Sequence, residues 1–319
     1  MMDFYGLIKD FRNVGNFQTD DQQKTVSDLI AIVKLGKLVV LSGIVGAGKT
    51  VILRQLREKL EKDRDVLVAK PASAENEKIN IRTLIMALFY ELSGDKKVKI
   101  PIQSEDRERK LREMIRKQKK TPVLLIDDAH RLKHTTLVNL KNLMEILQDD
   151  GSAISIVLSG HPKLKNDLLN PAMEEIGARA IYIELDIFSS NKKNYIKWVI
   201  EQSTKSKTKY SDIITDDAID LLSNKLITPL QVELYLELAV KEGYKIGEKP
   251  ISSDFMSTIM TQQIEGLEAR LSRSGYKVRP LARLLNIKTS EINALLRGQL
   301  NPKRTQELKE QMLLLGIPV

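Results

Sequence analysis

Along the first 185 positions, short apolar runs alternate with longer segments in which apolar residues recur every three or four positions. Leu38–Leu41, Val66–Ala69, Val123–Ile126, Ile154–Leu158 and Ala180–Leu185 are four to six residues long and apolar apart from Ser155 and Glu184, the length and texture of strands buried in a sheet. Ile81–Leu92, Glu105–Gln118, Thr135–Leu147 and the segment after Thr50 carry apolar residues at helical spacing with charges on the other face. Strand and helix in alternation predict an α/β domain with a five-stranded, mostly parallel sheet. The run Lys117, Lys119, Lys120 reads as charge at a helix C-terminus.

From Ser189 onward the strand pattern stops. Asn191–Thr204, Thr215–Ser223 and Pro229–Lys241 are helical by periodicity, with Thr228-Pro229 as a helix start and KSKTK at 205–209 as an exposed loop. Lys245–Pro250 reads as a linker, followed by one helix near Ser252–Ser272 and a terminal helical unit. The expected division is therefore 1–188 for the α/β domain, 189–244 for a helical subdomain and 251–319 for an all-α end. Trp198, Phe4 and Tyr5 are expected in the core, unless the N-terminal segment folds over a bound ligand.

Composition narrows the classes. No cysteine occurs among 319 residues, which removes disulfides, thiol nucleophiles and cysteine zinc sites. No run reaches 18 uninterrupted apolar residues, so the reading is a soluble, cytoplasmic chain with no membrane partner. The net charge of +9 is unevenly placed: residues 267–319 hold ten Lys or Arg against four Glu, a balance of +6, and the other 266 residues carry the remaining +3. A basic end on a nearly neutral body points to a polyanion, against the plainer reading of a solvated helical surface.

The chemistry starts where the first strand ends, at Gly43-x-x-x-x-Gly48-Lys49-Thr50. Glycines at 43, 46 and 48 let the backbone curl so that N–H groups converge on an anion. Lys49 brings a cation for the outer phosphates, and Thr50 a hydroxyl for Mg²⁺. This Walker A pattern makes Gly43, Val45, Gly46, Ala47, Gly48, Lys49, Thr50 and Val51 the expected contacts of ATP, the alternative being a glycine-rich turn between strand and helix. The third strand ends in Asp127 and Asp128, a Walker B pattern in VLLIDDAH. Asp127 is placed to hold Mg²⁺ and Asp128 to orient or polarise water, the alternative being a strand that ends in an acidic turn. His130 and His134 stand four apart, but a metal site is rejected because no third ligand accompanies them.

GIVGAGKT, LLIDDAH and the later LSGHPKL together resemble the AAA+ ATPases of the transposition-regulator group, which includes phage Mu transposition protein B, TnsC, TniB and IstB, along with the secretion ATPase ExeA. The resemblance covers roughly residues 4 to 242 and implies that the helical subdomain is a lid. It implies a sensor of the γ-phosphate at Ser159, with His161 nearby, although a serine ending a strand also serves as a local cap. It implies an arginine finger at Arg179 that reaches a neighbouring subunit's nucleotide; the alternative is an ion pair with Glu174 or Glu175. It further implies a homo-oligomer, ring or filament, that coats double-stranded DNA without defined sequence and recruits a transposase. Two departures stand out. Asp128 occupies a position where the group mostly has glutamate, and Leu230 follows Pro229 where the lid usually has arginine, both suggesting slow hydrolysis suited to a switch.

The basic end, Val278 to Gly298, fits a helix-turn-helix: Pro280 opens the first helix, Ala282 lies where the helices touch, Asn286 takes the left-handed turn, Thr289 or Ser290 caps the second helix, and Ile292 anchors it. Arg283, Lys288, Thr289, Asn293 and Arg297 are the candidate contacts to DNA or to a docked protein, with Glu291 unfavourable to phosphate. The leading expectation is an ATP-dependent regulator of DNA transposition. The alternatives are a replication initiator or loader, disfavoured because only a helix at Pro302–Leu315 follows Gly298, and an ExeA-type ATPase, for which a membrane or cell-wall segment is expected and none is seen.

Overall fold

The computed structural model describes every residue except 72–78, 95–98, 119, 186–190, 206–207 and 261–265. Lys119, part of the KSKTK loop and the expected boundary at 188 lie outside the described residues. By their contacts the residues form two compact units: Gln23–Gly43 with Lys49–Leu185, and Met1–Gln22 with Ile44–Gly48 and Asp186–Val319.

The first unit is built on a sheet of β1 (Leu38–Ser42), β2 (Val66–Ala69), β3 (Thr121–Ile126), β4 (Ser155–Gly160) and β5 (Ala180–Glu184), in the order β2-β3-β4-β1-β5. Every pairing is parallel. β1 and β4 are buried along their whole length, as continuous apolar sequence requires of central strands. β5 closes one edge and is half-exposed, which accounts for Glu184 in an otherwise apolar run. Lys49–Leu60, Ile81–Ser93, Ser104–Gln118 and His134–Asp149 are the helices expected from periodicity, with ends displaced by at most two residues. Leu84, Leu88, Leu92, Leu111, Leu140, Leu143 and Leu147 point inward from three of them onto Leu124, Ile156 and Leu158 of the sheet. Truncating any such leucine to alanine costs about 2–5 kcal/mol, the usual penalty for an unfilled core site. A buried polar residue, Ser155, is satisfied: its hydroxyl donates to the Val33 carbonyl at 2.6 Å and accepts from the Lys37 N–H at 2.9 Å.

Among the described residues, the second unit shows two apolar clusters. One gathers Tyr5, Phe11 and the inner faces of Lys192–Ser203, Asp216–Lys225, Pro229–Ile246 and Ser253–Met260. Thr228 starts Pro229–Ile246 as expected, through a reciprocal cap in which its hydroxyl accepts from the Gln231 N–H and Gln231 Oε1 accepts from the Thr228 N–H. That helix runs on to Ile246 and ends at Gly247 in the left-handed region, so the first residues of the expected linker are helical. Tyr5 is fully buried and donates to the Glu248 carbonyl at 2.6 Å, but Phe4 is exposed on its outer side and Trp198 only packs against the cluster. The second cluster is the core of the basic end, with Leu281, Ala282, Ile292, Leu295, Leu308 and Met312 buried. Where a single helix is expected near 252–272, the described residues form Ser253–Met260 and Leu267–Arg273, the latter starting at a non-helical Gly266.

Candidate functional site

β1, β3 and β4 end side by side, and residues at or beyond their carboxyl ends converge on one carboxylate. Asp127 Oδ2 accepts from the Thr50 hydroxyl at 2.8 Å, and Oδ1 accepts from the Ser159 hydroxyl at 3.0 Å and from the Asp128 N–H at 2.9 Å. Ser159 is fully buried, so its hydroxyl has been given a specific partner in place of water, whereas Thr50 is exposed. The 77 residues between Thr50 and Asp127 are bridged because β4 lies between β1 and β3 in the sheet and brings Ser159 into the same cluster.

Lys49 opens the helix Lys49–Leu60 and is buried, with Nζ donating to the Gly43 carbonyl at 2.7 Å. Burial lowers its pKa from the ordinary lysine value, and the charges of Asp127 and Asp128 act in the opposite direction. Gly43 takes no left-handed backbone, contrary to its expected role in the curl; its N–H instead donates to the Gly160 carbonyl at 3.2 Å and holds the end of β1 to the end of β4. Gly46 and Gly48 do take it, at φ 83° and 90°. A side chain at Gly46 would also strike Leu230 Cβ at 2.7 Å and Thr228 Oγ1 at 3.0 Å, so Leu230 packs directly over this glycine. The Val45 N–H donates to the Arg273 carbonyl at 3.0 Å, a partner from the basic end that sequence reasoning did not foresee. Ala47 donates back to the Ile44 carbonyl at 3.2 Å, while Val51 lies in the first turn of Lys49–Leu60.

Asp128 sits in the left-handed region at φ 51°, ψ 35°, a conformation that short Asp and Asn side chains tolerate far better than others. Its carboxylate is half-exposed, with Arg131 Nε loosely placed at 3.9 Å. The turn Ala129–Arg131 that follows brings the His130 ring onto the His161 ring, centroids 4.0 Å apart and planes 32° from parallel. Burial, then the neighbouring His130 and Lys49 charges, lower the His161 pKa to about 4; burial also lowers that of His130. His130 and His134 share no helix face, since His134 begins the helix His134–Asp149 with its Nε2 3.3 Å from the Ala172 carbonyl. Among the described residues, no group of three or more His, Cys, Asp or Glu is placed to hold a metal.

Arg179 lies at the other edge of the sheet, one residue before β5. It pairs with Glu145, not with Glu174 or Glu175, while Glu175 pairs with Lys141 at 3.1 Å. Glu145 also meets Lys141 at 3.1 Å. Lys37, Lys141, Met144, Ile176 and Arg179 are among the residues that line a cavity of about 680 Å³ there.

In the basic end, Asn286 takes the left-handed turn at φ 53° as expected. The first helix, Val278–Leu284, begins two residues before Pro280, and the second, Thr289–Leu296, starts after Lys288 with no side-chain cap from Thr289 or Ser290. Arg283, Lys288, Thr289, Asn293 and Arg297 are all exposed, and Thr289, Asn293 and Arg297 share one face at i, i+4 spacing. Glu291 is held by Arg304 at 2.7 Å, so it is not a bare charge on that face.

Residues 33–168 match the family model described as the AAA domain. Over 151 residues the chain is 26% identical to the general secretion pathway protein A of Aeromonas hydrophila, covering 45% of this chain and 26% of that protein, so the chain spans about a quarter of that relative's length. The crystal structure of Cdc6p from Pyrobaculum aerophilum is similar over 98% of this chain and 86% of that one, with a TM-score of 0.58 and 16% identity. Residues 33–168 are thus similar to an AAA domain, and the fold is α/β, a five-stranded parallel sheet accompanied by many helices, as in the Cdc6p structure.

Proposed function

We propose that this protein is a Mg²⁺-dependent ATPase of the AAA+ kind that assembles with copies of itself on double-stranded DNA and recruits or activates a transposase, hydrolysis releasing the assembly. The observation that carries the ATPase reading is the convergence of Thr50, Asp127 and Ser159 within 3.0 Å hydrogen bonds at the carboxyl ends of adjacent parallel strands, the edge where open α/β sheets place their ligands. The residues fit the group. Thr50 and Asp127 present a pair of hard oxygens of the kind Mg²⁺ takes, Lys49 presents a buried amine, and nothing lies within 4 Å of the side-chain position of Gly48. Bound Mg²⁺ supplies charge neutralisation at the phosphates. In this reading Lys49 and the loop N–H groups bind the phosphates, Ser159 senses the outermost one, and Asp128 orients water.

Arg179 precedes β5, and Asp127 follows β3, so the length of the strands separates them. Five residues span about 16 Å, beyond the reach of an arginine side chain. An Arg179 that meets phosphates therefore meets those of another copy, which supports a homo-oligomer. The exposed face of Thr289, Asn293 and Arg297, with Arg283 and Lys288 beside it, supports a contact to DNA or a docked protein.

The transposase step rests on the resemblance carried by the three motifs. A second reading, an ATPase of a secretion pathway, is favoured by the 26% identity to general secretion pathway protein A; a third is a replication initiator or loader. Sedimentation of the full chain with DNA of scrambled sequence separates them. ATP-dependent assembly that is lost in Lys49→Ala, with affinity falling by about 0.9 log units per phosphate contact per log unit of salt, supports the proposal. Binding to one defined sequence without ATP supports the initiator. ATP hydrolysis with no DNA binding in any state supports the secretion reading.

A further inference from the structure

We propose that the stacked His130 and His161 rings are a positioning pair for hydrolysis, clamping the turn that carries Asp128 to the end of β4. The inference rests on the reading of Asp128 as the residue that orients water. Asp128 has little to hold its own side chain: its carboxylate is half-exposed, and among the described residues its one ion pair is with Arg131, loosely, at 3.9 Å. Its place is therefore set by the turn Ala129–Arg131, and that turn packs against β4 in two ways. A side chain at Gly160 would stand 3.4 Å from the His130 backbone nitrogen, so the strand end lies beside the turn with room for little more than a methyl group between them. One residue further, the His161 ring covers the His130 ring at 4.0 Å.

Together with the hydrogen bond from Ser159 to Asp127, the stack gives β4 two attachments to the acidic segment: Ser159 on the first aspartate and His161 on the turn beyond the second. A displacement of the sensing strand is thereby passed to both aspartates. The rings meet as apolar faces. Nδ1 of each is buried and makes no hydrogen bond with a described residue, so no directed bond joins the turn to His161 through that atom. Lys49 from its helix, Arg131 from the turn, and Asp127 and Asp128 are the charged groups that act on the pair, and burial outweighs the two carboxylates to keep both rings neutral near pH 7.

This account predicts an unusual pattern among substitutions. His161→Leu fills much of the same volume but presents no flat face, and His161→Phe keeps the face while removing both nitrogens. With the full chain, Mg²⁺ and ATP, His161→Leu lowers kcat about tenfold, less than the roughly hundredfold that a misplacement of about 1 Å can cause, with the ATP dissociation constant unchanged. His161→Phe retains kcat within about twofold of the native chain. In the Asp128→Asn background, His161→Leu causes no further loss, because the pair acts only through Asp128. Native kcat in His161→Leu, equal losses in the Leu and Phe variants, or weakened ATP binding in step with kcat each overturn the clamp. Native hydrolysis by Asp128→Asn alone overturns instead the reading of Asp128.

Discussion

The two edges of the parallel sheet are built in opposite ways. At the carboxyl edge, Thr50, Ser159 and the Asp128 N–H all donate to one carboxylate over 2.8–3.0 Å, with Ser159 wholly buried. At the amino edge, Arg179, Glu145, Lys141 and Glu175 are joined by ion pairs beside an open cavity, and Arg179 keeps 55% of its side chain in solvent. Three hydrogen bonds that converge on one carboxylate, the one from Ser159 part-buried, fix its atoms closely. Exposed ion pairs contribute about 0–1 kcal/mol and exchange partners readily. The first edge gathers its groups on one carboxylate, and the second presents a half-exposed arginine in a surface ion pair.

The largest effect that tests this contrast is expected from the amino edge. Arg179→Ala removes a weak surface pair, so the stability of the isolated chain should change by less than about 1 kcal/mol, and ATP binding by the single chain should be unaltered. If Arg179 completes another copy's site, assembly-dependent hydrolysis falls about a thousandfold. Mixing Arg179→Ala with Asp128→Asn should return part of the activity, since each supplies the half that the other lacks. Native turnover by Arg179→Ala would remove the finger and leave this edge a plain surface.

At the carboxyl edge the expected loss is smaller and of another kind. Asn tolerates the left-handed backbone as well as Asp does, so Asp128→Asn should preserve the turn at φ 51° and bind ATP with native affinity. Hydrolysis should fall about a hundredfold, the usual scale for a displaced general base. Asp128→Glu is the sharper companion. The longer side chain favours turnover, but a glutamate fits the left-handed turn less well, so its gain depends on which of the two prevails. Loss of ATP binding in Asp128→Asn would show Asp128 to be a binding group rather than one that acts on water.

Much of this contrast was legible in the sequence, and its limits are physical. The strands and the Gly48-Lys49-Thr50 loop are local patterns: apolar runs must be buried, and the spacing of glycine, lysine and threonine specifies a turn into a helix. Asp127 was readable because it ends such a run. The Arg179–Glu145 pair was not, because it joins residues 34 apart through packing of His134–Asp149 beside the start of β5. The His130–His161 stack likewise depends on β3 and β4 being neighbours, which no local pattern states. The left-handed Asp128 was missed for a different reason. Its sequence reads simply as an acidic pair, and only the short 3₁₀ turn after it forces the backbone over. Lys288, not Thr289, precedes the second basic helix for a similarly local reason, since no side-chain cap was required to start it.

Acid distinguishes the two edges by window, with the smallest expected effect. Burial first, then the His130 and Lys49 charges, hold His161 at about 4 against an ordinary 6.5, and burial lowers His130 in the same direction. The unfolded chain therefore takes up protons near 6.5 before the folded chain does, and stability falls as pH drops from about 6.5 towards 4. Glu145 behaves differently. The Arg179 hydrogen bond, the largest influence, holds its carboxyl below 4.5, so its contribution is complete above that value and is lost only as pH falls through its folded pKa. The urea midpoint of the nucleotide-free chain should decline between pH 6.5 and 5. His161→Phe should remove part of that decline, while Glu145→Gln should leave the interval unchanged and act only below about pH 4.5. If the decline from 6.5 to 5 persists in full when both His130 and His161 are phenylalanine, the acid sensitivity lies elsewhere, and the neutral stack is not what distinguishes the carboxyl edge.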